Sequence, residues 1–232
     1  MPPRRPLQAT VREYLLTRIL DGDLTPGDPI RELDIASRLG VSQAPVREAL
    51  RDLASSGLVE YQPNRGTRVR MIRREDLAHF YPVRAALEGI AGEQAASHLA
   101  GDTAVLDTHI ARMLDAAQRE DIYAFARAST DFHRTIVTAA GNRPLLDAWQ
   151  ALGIEILTAV SLATTAHPLE DAAQEHLPIA QALDAGDAKK AAALLRNHQG
   201  EYGIRGRRLT RRRRPTIDAP EDIASEAVPL HG

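Results

Sequence analysis

The chain contains no cysteine. Disulfides, thiolate nucleophiles and Cys-type zinc sites are therefore excluded together, and any metal has to be held by His, Asp, Glu or water. Long apolar runs are missing as well. Even the stretch from Trp149 to Ala166 is interrupted by Gln150 and Glu155, short of the roughly 20 uninterrupted apolar residues that a membrane span needs. The opening MPPRRPLQAT has basic residues without the apolar segment of a secretion signal. These absences predict a soluble, cytoplasmic protein without membrane contact. No G-x-S-x-G, P-loop or H-E-x-x-H motif occurs. Lysine supplies only 2 of the 29 basic residues, which suggests a GC-rich genome and says nothing of function.

What is present is 232 residues, 44% of them apolar, enough for two modest domains or one domain and a tail. The net charge of −2 conceals a segregation. Residues 1–74 hold 13 basic against 9 acidic side chains, residues 75–202 hold 9 against 18, and residues 203–232 hold 7 against 4. A basic N-terminal part beside an acidic middle points to the first part as the one that meets a polyanion.

Leu7, Val11, Leu15, Ile19 and Leu20 keep helical spacing until DGDLTPGDPI breaks it near Asp21. RELDIASRLG predicts a second short helix with Leu33, Ile35, Ala36 and Leu39 inward and Gly40 as a left-handed cap. SQAPVREALRDLASSG predicts a third, with Ser42 as N-cap, Pro45 in the first turn, and Val46, Ala49, Leu50 and Leu53 buried. Gln43, Ala44, Arg47 and Arg51 are left on the outer side. LVEY and TRVRMI are β-type runs joined by QPNRG, which brings Arg65 and Gly66 to a hairpin tip.

Three short helices, a tight turn and a hairpin in that order make a winged helix-turn-helix, whose third helix enters the major groove of double-stranded DNA. An Arg there can bond a guanine edge in bidentate fashion, worth roughly 1 to 3 kcal/mol of discrimination. The bland alternative is that Arg47 and Arg51 are solvated helix residues, with Arg47 paired to Glu48 or Asp52. The order of elements and the basic charge favour DNA.

The run ILDGDLTPGDPIRELDIASRLGVSQAPVREALRDLASSGLVEYQPNRGTRV resembles the N-terminal domain of GntR-type bacterial transcription regulators over nearly all of residues 10–71. The resemblance implies an operator-binding homodimer, with Arg47 and the wing Gly66 at DNA-contacting positions; Ser42, Gln43, Ala44, Arg51 and Arg65, by their places on the helix and hairpin, are expected to contact DNA beside them. The family usually has Arg and Thr after the Ser, where this chain has Gln43 and Ala44. Gln can read adenine and Ala can touch a thymine methyl, so the operator is expected to differ from the common one.

From residue 75 to 204 nearly everything reads helical. Phe80, Val83, Leu87 and Ile90 mark one stripe and Leu106, Ile110, Met113 and Leu114 another, with Asp102 or Thr103 as its cap. Six to seven helices would form an antiparallel bundle, so the whole chain is expected to be mainly α with a small β-hairpin wing. In the last helical hairpin the turn centres near Gly186, with His176 about ten residues before it and His198 about twelve after. Two antiparallel helices place such positions within about 3 Å along the axis, so the two imidazoles can face each other. With His133 arriving from another helix, three neutral imidazoles would suit a divalent transition metal such as Zn or Ni. Taken singly, each His also reads as an ordinary core residue, and His79, His98, His109, His167 and His231 have no facing imidazole.

This part resembles the helical effector domain of the FadR subfamily through VRAALE, DFHRTIVTAAGN and EHLPIAQALDAGDAKKAAALLRNH. Metal-binding members place an Asp four residues before the first His. Here that position is Ser129. Asp131 lies about 200° around the helix from His133 and would pair with Arg127 or Arg134 instead. The resemblance implies that Arg84 faces the effector cavity, where a small organic acid could bridge it and the metal. The alternative for Arg84 is an ion pair with Glu88 at i+4. Residues 205–232, Arg-rich and then acidic, read as a disordered tail.

The function expected is therefore a ligand-responsive transcription regulator and not an enzyme. Two rivals stay open. One is a three-His metal enzyme, although no acid or base is placed beside the three His; the other is a regulator whose bundle is a metal-free dimerisation module.

Overall fold

The computed structural model describes residues 6–164 and 167–210. Helix α1 (Leu7–Leu20) turns Val11, Leu15 and Leu16 inward. The breaker segment after it does more than break: Pro29–Ile30 forms a strand, β1, too short to show in any periodicity. Helix α2 (Glu32–Leu39) ends at Gly40, which takes the left-handed cap with φ 65°. Leu33, expected inward, is 65% exposed. It lies about 200° around the helix from the buried Ile35, so both cannot face the core. Helix α3 (Gln43–Ser55) buries Val46, Ala49, Leu50 and Leu53, the expected stripe. Strands β2 (Val59–Gln62) and β3 (Gly66–Val69) make the hairpin, and β1 adds to it in the order β1-β3-β2, all antiparallel. The wing is thus a three-stranded sheet whose buried residues join those of α1, α2 and α3 in one core.

The bundle holds α4 (Arg74–Leu99), α5 (Ala104–Gln118), α6 (Ile122–Ala139), α7 (Arg143–Gln150), α8 (Ile154–Thr164), α9 (Leu169–Gln174), α10 (Leu177–Asp184) and α11 (Ala188–Thr210). Pro178 lies in the first turn of α10 and has no N–H to continue an earlier helix, so the first arm of the last hairpin is two pieces, α9 and α10. Counted as one arm, it makes seven helices. Caps follow from the sequence: Asp121 Oδ1 accepts from Ala124 N, and Asn142 Oδ1 accepts from Leu145 N.

On α4 the expected apolar stripe is displaced. Val83 and Ile90 are 48% and 43% exposed, while Leu77, Tyr81, Arg84, Glu88, Ala91 and Ala95 are buried. The buried face contains an ion pair, which an apolar count cannot detect. Glycines 89 and 92 leave room for Arg196 and Leu195, so α11 lies close along α4. Among the described residues no single helix is long and apolar enough to cross a membrane. Helix α11 continues to Thr210, into the stretch expected to be irregular. The rest of that expected tail, 211–232, lies outside the described residues.

Candidate functional site

The outer face of α3 presents Ser42, Ala44, Arg47 and Arg51 to solvent, with Gln43 half-buried. Ser42 occupies the N-cap position, yet its side chain makes no capping bond, so the hydroxyl stays available at the start of the helix. Arg47 does not pair with Glu48 or Asp52. Its Nε donates to Glu32 Oε2 of α2 at 2.6 Å and its Nη2 to Gln43 Oε1 at 2.8 Å. Arg65 and Gly66 close the wing, where Asn64 and Gly66 both have positive φ, 62° and 73°. The helix, the wing tip and their arginines are thus exposed on one small domain.

In the bundle, His133 of α6, His176 at the start of α10 and His198 of α11 converge, with one ring nitrogen from each within 4.8 Å of the others. The rings of His176 and His198 are 4.5 Å apart, and those of His133 and His198 stack at 5.4 Å. His198 Nδ1 lies 3.7 Å from Glu175 Oε2, and the other two imidazoles are held more closely from behind. His176 Nδ1 lies 2.9 Å from the carbonyl of Ala172, which fixes the N–H there and leaves Nε2 with a lone pair. His133 Nδ1 lies 3.0 Å from Glu88 Oε2. A carboxylate or carbonyl behind a ring is the usual support of a metal-ligating histidine. Burial keeps the His133 proton affinity down, and burial followed by the neighbouring His133 lowers His176 to about 3. Both are therefore neutral at pH 7, as ligands must be. Ser129 Oγ lies 3.3 Å from His176 Nε2, so the hydroxyl joins the cluster. Asp131 bonds Arg134 at 2.7 Å and points away from it.

Arg84 makes the ion pair with Glu88. It lines a small cavity with Tyr81, Phe125, Ser129, Thr158 and His198. Its Nε also donates to Glu88 Oε1 at 2.7 Å and its Nη1 to Thr158 Oγ1 at 2.9 Å. Glu88 is the centre of the site. Besides Arg84 and His133, it accepts from Trp149 Nε1 at 2.9 Å and from Gln199 Nε2 at 2.8 Å. Burial is the largest influence and raises its pKa, but Arg84 and His133 together outweigh it and hold the carboxyl below the usual range. The cavity volume is about 10 Å³, room for about one water.

Of the residues singled out from sequence, His133, His176, His198, Ser129 and Arg84 come together here. Glu88, Trp149 and Gln199 were missed as site residues. The available signal for Glu88 was its place in the series Arg84, Glu88, Ala91, Ala95 along one face, where the small residues mark a closely packed side. His109 sits elsewhere, near Thr135, and His167 pairs with Glu175 at 3.2 Å.

Residues 7–69 match the family described as bacterial regulatory proteins, gntR family, and residues 79–201 match the FCD domain. A protein of Paenarthrobacter nicotinovorans named as a probable D-xylose utilization operon transcriptional repressor is 44% identical over 199 residues, covering 86% of this chain and 88% of its own. The HTH-type transcriptional repressor RspR of Escherichia coli K12 is 26% identical over 202 residues, 86% of this chain and 88% of its own. Among solved structures, E. coli McbR/YncC shares the fold with TM-score 0.69 at 21% identity, covering 89% of this chain and 99% of that one. A GntR regulator from Rhodococcus sp. RHA1 shares it with TM-score 0.65 at 24% identity, covering 86% and 96%.

Proposed function

Since the chain belongs to the gntR family of bacterial regulatory proteins and carries an FCD domain, we propose that it is a homodimeric, effector-responsive repressor of the FadR subfamily. That it is a DNA-binding transcription regulator and not an enzyme follows from those two domains and from its relatives. The domains proposed are 1–74 for operator binding, 75–204 for effector binding and dimerisation, and 205–232 as a tail. Ser42, Gln43, Ala44, Arg47 and Arg51 enter the major groove, and Arg65 and Gly66 of the wing reach the backbone or minor groove. The exposed Val83 and Ile90 on α4 supply an apolar strip for the partner subunit.

The observation that carries the sensing half is the convergence of three buried imidazoles with a carboxylate and a carbonyl behind two of them. His133, His176 and His198 fit a divalent transition ion such as Zn or Ni, which would offer an effector oxygen a Lewis-acid position. Arg84, which lines the cavity, would meet a second oxygen of the same small organic acid. A second reading has its own support: Glu88 already neutralises Arg84, and the 44% identical relative is named for a D-xylose operon. In that reading the effector is a sugar, bound through hydroxyls.

Metal analysis of protein purified without a His-tag tests the cluster. About one ion per chain is expected, and none in His176→Ala. No ion in the wild type removes the metal and leaves the bundle as a metal-free dimerisation and effector module.

A further inference from the structure

The Arg84–Glu88 pair holds two consecutive helices. Glu88 accepts from Trp149 of α7, and Arg84 donates to Thr158 of α8. Between these two residues the chain turns the α7–α8 corner, residues 150–156, and the corner is seated on the DNA-binding domain at three points. Gly153, at φ 63°, lies against the C-cap of α3, where a Cβ would fall 2.7 Å from Ser56 Cβ and 2.8 Å from Ser56 Cα. Glu155 pairs with Arg12 of α1 at 3.1 Å. Ile156 leaves the bundle core and is buried among Val11, Leu15, Leu50 and Leu53 of the N-terminal core.

The cavity that α8 helps to wall, through Thr158 and Leu162, holds about one water. A larger ligand must displace part of the lining, and on one side that lining is Thr158 and Leu162 of α8. Close-packed helices move as units and do not yield atom by atom. A displacement of α8 at Thr158 is therefore carried one turn along the same helix to Glu155 and Ile156.

We propose that the α7–α8 corner is the coupling element of the molecule: filling the cavity re-seats residues 150–156 against Ser56 and Arg12, and so re-aims the reading helix α3 within the dimer. This deepens the effector-responsive reading above, on which it rests, and does not require a bound metal. Linkage makes the coupling reciprocal, so operator binding at α3 must also be felt at Trp149 and Thr158.

The test uses full-length protein and a DNA duplex that it selects from a random pool. Trp149→Phe and Thr158→Val remove the two hydrogen bonds and change no residue of the DNA-binding domain. Thr103→Val is the control, because its hydroxyl bonds Asp184 at the opposite end of α4. The two corner-facing variants are expected to change the operator Kd by about 3- to 10-fold, and the control by less than about 2-fold. Corner variants indistinguishable from the control overturn the proposal. If either variant fails to fold, as circular dichroism shows, the wild type decides alone. Trp149 is the single tryptophan, and its emission is expected to shift when the duplex saturates the protein. Unchanged emission at saturation overturns the coupling.

Discussion

Two Arg–Glu pairs of nearly equal length have opposite uses in this molecule. Arg47 and Glu32 meet at 2.6 Å on the reading face with side chains 55% and 34% exposed, and Arg84 and Glu88 meet at 2.7 Å with side chains 2% and 1% exposed. An exposed pair is worth about 0 to 1 kcal/mol and is readily exchanged for another partner. The buried pair cannot exchange, because either charge left without the other in the interior is no longer neutralised. In the proposed function the first is a resting position for a side chain that turns to DNA. The second is a fixed joint to which His133, a cavity wall and two helices are attached.

The comparison breaks first at its buried side. Glu88→Gln is expected to lower unfolding free energy by about 3 to 5 kcal/mol, since Arg84 is left uncompensated; denaturant titration measures it. A loss below about 1 kcal/mol would make the buried pair equivalent to the exposed one. Arg47→Ala is expected to cost about 1 to 3 kcal/mol of operator discrimination, with stability changed by no more than about 0.5 kcal/mol. Parallel binding and melting curves separate those effects.

The histidines sharpen the contrast through pH. Burial depresses His176 to about 3, so the unfolded chain binds its proton first as pH falls below the ordinary imidazole range. Stability that is full above that range is then lost between it and about pH 3. Melting temperatures from pH 7 to 5 should fall in the metal-free wild type and fall less steeply in His176→Gln. Ser129→Asp, which places a carboxylate beside His176 Nε2, is expected to tighten Zn binding about 10-fold or more, read by competition with a chelator. The smallest effect belongs to Glu32→Gln, which frees Arg47. Operator affinity should rise about 2-fold, with stability changed by less than about 0.5 kcal/mol.

The reading domain was almost fully legible because its signals are local. The Ser42 start, the Val46 to Leu53 stripe, the Gly40 cap and the turn before Gly66 each depend on neighbours in sequence. β1 was not legible, since its two residues become a strand only by pairing with Arg68 and Thr67. Leu33 is exposed because it lies about 200° around α2 from the buried Ile35, an angle that apolar content alone does not contain. In the bundle, the His176–His198 approach followed from the hairpin turn, whereas the arrival of His133 depended on how α6 packs, which spacing does not contain. Glu88 was hidden for a different reason. A charged residue on α4 reads as solvated until its Arg, its Trp and its Gln, 4, 61 and 111 residues away, are placed around it. The exposed Val83 and Ile90 are the converse, apolar residues that the single chain does not bury.

The central claim, that α3 and the wing read a specific operator as a homodimer, is tested most directly by selecting bound duplexes from a random pool with the wild type and with Arg47→Ala. An inverted repeat with half-sites about one helical turn apart should be enriched by the wild type and lost in the variant. Enrichment of no sequence by the wild type, or of the same repeat by Arg47→Ala, would contradict it.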